Sequence, residues 1–137
     1  MSTARDVMTA GAESLDSSTT VLEAAKRLAS EDYGAMPICD GDRLQGMITD
    51  RDIVVKVLAA GKDPATTKVI DLVQGEVVTI GADDPVEEAA RTMADHQVRR
   101  LPVIDGTSLV GMLSQADLAR AGDDRLTGDA VEGISRG

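Results

Sequence analysis

The sequence predicts a mixed α/β fold of the α+β kind, built from one β-α-β-β-α unit used twice. Three observations lead there. Gly46-Met47-Ile48-Thr49-Asp50-Arg51-Asp52 returns as Gly111-Met112-Leu113-Ser114-Gln115-Ala116-Asp117, a shift of 65 residues. The same shift, without a gap, carries Val21, Glu23, Ala24, Ala25 and Ala29 onto Val86, Glu88, Ala89, Ala90 and Ala94. It also carries Pro37, Asp40, Gly41 and Leu44 onto Pro102, Asp105, Gly106 and Leu109. Helix-type, turn-type and strand-type positions thus hold one register over about fifty residues, which marks a duplicated unit.

Each copy opens equivalently, with Asp6-Val7-Met8 and Asp71-Leu72-Val73. A strand is expected over Ala12 to Leu15 and over Glu76 to Ile80, where Val77-Val78-Thr79-Ile80 shows the alternation. Helix start signals follow: Ser17-Ser18-Thr19-Thr20 in the first copy and Asp83-Asp84-Pro85 in the second. There Asp84 would be the N-cap, Pro85 the first helical residue and Glu87 the capping-box partner. Val21, Ala24, Ala25, Leu28 and Ala29 then recur at helical spacing, as do Val86, Ala89, Ala90 and Met93.

Met36-Pro37-Ile38-Cys39 and Leu101-Pro102-Val103-Ile104 read as short apolar strands, and Asp40-Gly41 and Asp105-Gly106 as hairpin turns. Second strands run from about Arg43 to Ile48 and from about Ser108 to Leu113. The closing helices are Arg51 to Ala60, ended by Gly61, and Ala116 to about Ala121, ended by Gly122. Lys62 to Thr67 is the linker. The expected division is residues 1–66 for the first repeat with its lead-in, 67–122 for the second, and 123–137 for a tail. In that tail Leu126, Val131 and Ile134 offer one weak apolar face, so it is either flexible or a short docked helix.

The chain has 137 residues, and each half is too small to bury much core alone, so both are expected in one globule. The hydrophobic fraction is 42%, with no Trp, no Phe and only Tyr33, so burial rests on aliphatic residues and six Met. The net charge of −10 repels phosphate backbones and anionic membranes, which argues against nucleic acid and membrane partners. With no secretory h-region and no run of 18 apolar residues, a cytoplasmic location is expected. Cys39 and His96 are each the only residue of their kind. An intramolecular disulfide, a multi-cysteine metal site and a Ser-His-Asp triad are therefore excluded, and Cys39 is expected to be buried, reduced and without a catalytic role. His96 suits the C-terminal dipole of its helix, and the pairs Asp40/Asp42 and Asp83/Asp84 suit turns and caps, so no metal is assigned.

The duplicated order, the Pro-containing strand, the Asp-Gly turn and Gly-x-x-[Ser/Thr]-x-x-Asp opening the last helix together resemble the CBS domain pair (Bateman module). Ala4-Arg5-Asp6-Val7-Met8-Thr9 is similar to the usual start of its first repeat. The likeness runs from about Ala4 to Gly122 and suggests a stand-alone module. It implies two repeats packed about a pseudo-twofold axis, with clefts that bind an adenosine-containing ligand such as AMP, ADP, ATP or S-adenosylmethionine. It also implies a homodimer, for which the Ala- and Val-rich helices Val21 to Ala29 and Val86 to Ala94 would leave apolar faces uncovered.

The motif has a physical reading beside the resemblance. Thr49 with Asp52, and Ser114 with Asp117, are helix N-terminal boxes, and satisfying backbone amides is one job they can do. A helix N-terminus also suits phosphate, to which the Thr49 or Ser114 hydroxyl adds a donor. In the family the Asp accepts from the ribose hydroxyls, a role the resemblance assigns to Asp52 and Asp117. Gly46 and Gly111 permit close backbone approach. The two sites differ. Arg99-Arg100 precede the second Pro strand where the first repeat has Gly34-Ala35, and the family often draws a phosphate contact from this loop. Arg100, with Arg99, is a candidate anion clamp; a solvated basic surface is the alternative. Asp50 weakens the first site for polyphosphate. Pro37 and Pro102 would lie on the pocket floors or simply in the core.

The leading expectation is a regulatory sensor, not an enzyme, needing no cofactor beyond its regulatory ligand and signalling to an unknown downstream protein. The alternative is a ligand-free structural or interaction protein with degenerate clefts. An enzyme using a carboxylate and bound Mg²⁺ is the remaining rival.

Overall fold

The structure, a computed structural model, describes residues 2–11, 13–31 and 34–121. The expectations for the tail beyond residue 122, and Tyr33, lie outside the described residues. The elements are α1 (Ala4–Val7), β1 (Thr9–Ala10), β2 (Leu15–Asp16), α2 (Val21–Glu31), β3 (Ala35–Asp40) and β4 (Arg43–Thr49). After β4 come α3 (Asp50–Asp52), a π-helical stretch (Ile53–Leu58) and a 3₁₀ turn (Val69–Leu72). The second copy supplies β5 (Ile80–Gly81), α4 (Val86–His96), β6 (Arg100–Asp105), β7 (Ser108–Ser114) and α5 (Gln115–Arg120).

The chain forms two compact units, and they are not the two sequence repeats. One unit comprises residues 13–77, the other the N-terminal segment through residue 12 together with the chain from Val78 onward. The lead-ins are exchanged. Val69 and Leu72, which begin the second copy in sequence, are buried in the core of the first with Leu15, Val21, Leu28, Ile38 and Ile48. Ala4, which begins the first copy, is fully buried in the core of the second with Ile80, Val86, Met93, Leu101 and Leu113.

The hydrogen bonds obey the same exchange. The first helical N–H groups of α2 and α4 have no intrahelical partner. Val21 N–H donates to Thr67 O (2.8 Å) and Val86 N–H to Ser2 O (3.1 Å), equivalent bonds from exchanged segments. Val69 N–H donates to Thr19 O and Ala4 N–H to Asp84 O, each at 2.9 Å. Each half-size core is thus completed by a segment from the other copy, and burying Leu72 alone contributes on the order of 2 kcal/mol.

Within the first unit β2 runs parallel to β3, and β3 is antiparallel to β4. Within the second, β5 is parallel to β6, β6 antiparallel to β7, and β1 adds antiparallel to β7. Both hairpins slip register at the same place, Ile38/Cys39 and Val103/Ile104. Gly41 (φ 63°) and Gly106 (φ 66°) supply the positive φ at the first loop position of their turns.

Several boundaries differ from the sequence reading. Asp84 does not cap α4: its carboxylate takes the Gly81 N–H at 2.8 Å, closing the preceding turn. Pro85 stands at the N-cap with extended ψ of 148°, and the helix begins at Val86. Glu87 accordingly closes no capping box. Of the expected lead-in strand Glu76 to Ile80, only Ile80 pairs with β6, as Gly81 does beyond it. The closing helix of the first copy widens after Asp52 into π geometry, with Ala59 N–H bonded to Val54 O. The helix faces expected to stay uncovered are mostly filled: Val21, Ala24 and Leu28, and Val86, Ala89, Ala90 and Met93, are buried within their own units. Among the described residues the exposed large aliphatics are Leu22 of α2 and Val54, Val55 and Leu58 of the π-helical stretch.

Candidate functional site

Each motif stands where a hairpin strand turns into a short helix. Thr49 ends β4 with φ −116° and ψ 160°, and Ser114 ends β7 with φ −113° and ψ 166°. Both therefore begin helices, as expected. The Thr49 hydroxyl accepts from Asp52 N–H at 3.0 Å while the Asp52 carboxylate accepts from Thr49 N–H at 3.0 Å. Ser114 and Asp117 repeat the box at 3.1 and 2.9 Å. The spacing of three makes the two bonds reciprocal, so each box satisfies two amides that the helix would leave unpaired.

The carboxylates differ in what else they hold. Asp52 Oδ1 lies 3.3 Å from Lys56 Nζ, and this ammonium also donates to Leu72 O at 3.2 Å, tying the closing helix to the exchanged lead-in. The Asp52 side chain keeps 24% exposure. Asp117 is only 3% exposed. Its Oδ2 takes the Ser114 N–H, and its Oδ1 takes the Thr9 hydroxyl at 3.3 Å and the Arg120 guanidinium. Thr9 and Arg120 were not singled out from the sequence. Arg120, three residues after the motif Asp, carried a helical-spacing signal, whereas Thr9, 108 residues away, carried none.

Around Ser114 the second unit assembles the other residues. Arg100 stands opposite Ser114 in the β6/β7 register, and the Arg99 carbonyl accepts from Gln115 N–H at 3.1 Å. The first unit builds the same backbone bond, Asp50 N–H to Gly34 O at 3.0 Å, without the arginines. A Cβ on Gly34 would meet Asp50 Oδ2 at 3.9 Å, so a carboxylate stands near the place that Arg99 fills in the other copy. Pro37 and Pro102 are both buried, opposite Met47 and Met112 in the hairpins.

Gly46 and Gly111 do admit a close neighbour, and it is the exchanged lead-in. A Cβ at Gly46 would stand 2.7 Å from Val73 Cγ2, and one at Gly111 would stand 2.7 Å from Thr9 O. Cys39 is buried at 3% exposure, and that burial pushes its thiol pKa up against an opposing hydrogen bond from Ser14. His96 is the last residue of α4, near its negative dipole end. Among the described residues, no group of three or more His, Cys, Asp or Glu could hold a metal ion, and no helix is long and apolar enough to cross a membrane.

The family model for the CBS domain matches the chain twice, over residues 4–59 and 69–124. Hypoxic response protein 1 of Mycobacterium tuberculosis (strain ATCC 25618 / H37Rv) is 46% identical over 121 residues, 88% of this chain and 85% of that protein. The crystal structure of hypoxic response protein I with two coordinated zinc ions matches with a TM-score of 0.80 at 46% identity, covering 87% of this chain and 98% of that one. CBSX2 in complex with AMP matches at 0.77 and 26% identity, over 89% and 96% of the two chains. The CBS domain pair of MJ0100, in complex with 5′-methylthioadenosine and S-adenosyl-L-methionine, matches at 0.71 and 28% identity, over 89% and 100%.

Proposed function

This chain belongs to the CBS domain family, and from that premise we propose that it is a regulatory module that binds an adenosine-containing ligand and signals to a partner protein. AMP, ADP, ATP and S-adenosylmethionine are the candidate ligands, in keeping with the adenosine compounds held by CBSX2 and MJ0100. The observation that carries the reading is the company of Ser114, with Arg100 opposite it and Arg99 bonded to the next residue. A hydroxyl with an arginine directly opposite it in the hairpin, and a second arginine next in the chain, suits a phosphate better than a neutral group. Asp117 would take the ribose hydroxyls, and the strand around Pro102 would flank the base. The site of Thr49, Asp52 and Pro37 is the weaker of the two, because Asp50 opposes phosphate there. The module is a binder rather than a catalyst, and its acidic surface and buried Cys39 suit a cytoplasmic setting.

Self-association belongs to the same proposal, through the exposed side chains of Val54, Val55 and Leu58; light scattering of a stable monomer at micromolar concentration would remove that part. A second reading, a ligand-free interaction protein, is favoured by one observation: both oxygens of Asp117 already have partners. Titration calorimetry decides between them. Wild type should bind AMP more tightly than adenosine, and the Arg99→Ala/Arg100→Ala double variant should lose that preference while keeping its thermal stability. If wild type takes up no adenosine phosphate at millimolar concentration, the interaction reading stands instead.

A further inference from the structure

Asp117 links the candidate site to the start of the chain. A carboxylate offers about four acceptor positions. The Ser114 N–H takes one on Oδ2, and the Thr9 hydroxyl and Arg120 take the two on Oδ1. One position on Oδ2 is left, but the carboxylate is only 3% exposed, so a ligand reaches it only when a side chain that covers it moves aside. Ser114 N–H is fixed at the end of β7 by the hairpin. Arg120 and Thr9 are the movable partners: the Arg120 side chain is 68% exposed, and both residues of β1 are exposed.

The lead-in is held unevenly. Its α1 portion is anchored: Ala4 is fully buried, Thr3 and Asp6 form a capping box, and Arg5 donates to Asp105 at 3.1 Å. Its β1 portion has only two register positions on β7, Thr9 opposite Met112 and Ala10 opposite Gly111. The Thr9 hydroxyl adds a side-chain hydrogen bond to that short pairing. Three residues beyond Ala10 the chain enters the other compact unit at Glu13, past Gly11 at φ 69°.

We infer that Thr9 is a latch: a ligand whose hydroxyls bond to Asp117 displaces the Thr9 hydroxyl and loosens β1 from β7, with α1 as the fixed end. Ligand occupancy is thereby coupled to the peptide that leads into the other unit. The inference rests on the reading of Asp117 as a ribose acceptor, and it supplies the event by which binding is passed on. The coupling is reciprocal, because two donors compete for the same oxygen.

The test uses the full chain and AMP, with peptide-level hydrogen exchange over residues 2–10 and calorimetry. Thr9→Val keeps the shape and strand preference and removes the donor. Without AMP, exchange over residues 2–10 should be faster in Thr9→Val than in wild type. With saturating AMP, exchange there should rise in wild type and change little in the variant. Thr9→Val should bind AMP about tenfold more tightly, the low end of what a hydrogen bond to a charged group is worth, in keeping with the 3.3 Å length of this one. Arg120→Gln, which frees the same oxygen from the other side, should also tighten binding without speeding exchange over residues 2–10. Unchanged exchange in ligand-free Thr9→Val overturns the latch itself. AMP binding that leaves wild-type exchange unchanged, or weaker AMP binding by Thr9→Val, overturns the coupling. If neither protein binds AMP at millimolar concentration while Thr9→Val still exchanges faster, the ribose-acceptor reading fails and the coupling with it.

Discussion

Replacing Gly111 by Ala tests the exchanged lead-in directly. Gly111 lies in β7 with Val103 on one side and Ala10 on the other. A Cβ there would meet Met8 Sδ at 2.6 Å, Thr9 O at 2.7 Å and Met8 Cγ at 3.1 Å. Met8 is unbranched and half-buried, so its sulfur can swing away. The Thr9 carbonyl cannot, because it belongs to the backbone that pairs with Met112. Ordinary carbon–oxygen approach is about 3.3–3.6 Å, so β1 must retreat by roughly 0.6 Å or more or let go. Overpacking of this kind costs about 1–3 kcal/mol, and the unfolded chain loses about 0.4–1 kcal/mol of flexibility advantage when Gly becomes Ala. The net expectation is a loss of about 1–2 kcal/mol, with faster exchange over residues 2–10. At Gly46 the contacts are two methyl carbons of Val73, at 2.7 and 2.9 Å, with no backbone atom among those named. Gly46→Ala should therefore cost less. Urea unfolding, with the midpoint compared at constant slope, measures both. A Gly111→Ala protein as stable as wild type, or a Gly46→Ala protein less stable than Gly111→Ala, would refute the close approach of the lead-in to β7.

Three further outcomes follow from the site. Asp52→Ala should cost about 1 kcal/mol, the worth of a lost cap, whereas Asp117→Ala should cost about 2–3 kcal/mol because it removes the Thr9 and Arg120 bonds to a buried carboxylate as well as the cap; equal losses in thermal and urea unfolding would count against the difference. Cys39 should react with a thiol reagent at pH 8 only as fast as its unit opens, since burial raises its pKa; complete labelling within seconds would contradict this. Two carboxyls should shape the pH dependence of stability with opposite signs. The Ser18 hydroxyl and N–H hold Asp16 below its ordinary 3.8, so its contribution is present above that pH and is lost as pH falls through the lower folded value. The hydrogen bond shared with Glu13 holds Glu31 above 4.5, so its contribution is present below that pH and is lost as pH rises through the folded value. Asp16→Asn should flatten the acid limb of Tm below about pH 4, and Glu31→Gln should raise Tm at pH 7 more than at pH 3; the reverse pattern in a calorimetric pH series would sink the assignment.

Signals that act over three or four residues were legible in the sequence. Thr49 with Asp52 and Ser114 with Asp117 had to form boxes, because the spacing of three makes a hydroxyl and a carboxylate reach each other's amides across one helical turn. The Asp-Gly turns, the burial of Cys39 and the placement of His96 at a helix end are of the same range. Asp84 failed the same logic by one residue. Its carboxylate had two amides within reach and took Gly81, while Ser2, from the far end of the chain, satisfied Val86.

The duplication by itself determined that two like cores would form and that their motifs would be built alike. Only the tertiary structure decided which lead-in completes which core. Ala4 and Val69 are both small apolar residues at equivalent positions, so the pattern that buries one in its own copy would serve equally well in the other. The choice shows itself in contacts such as Arg5 with Asp105 and Thr9 with Asp117, 100 and 108 residues apart. No local periodicity records such pairs, because chain connectivity imposes no preferred spacing at that distance. For the same reason the sequence could name Asp117 as a candidate acceptor, while its Thr9 partner emerged only from the fold.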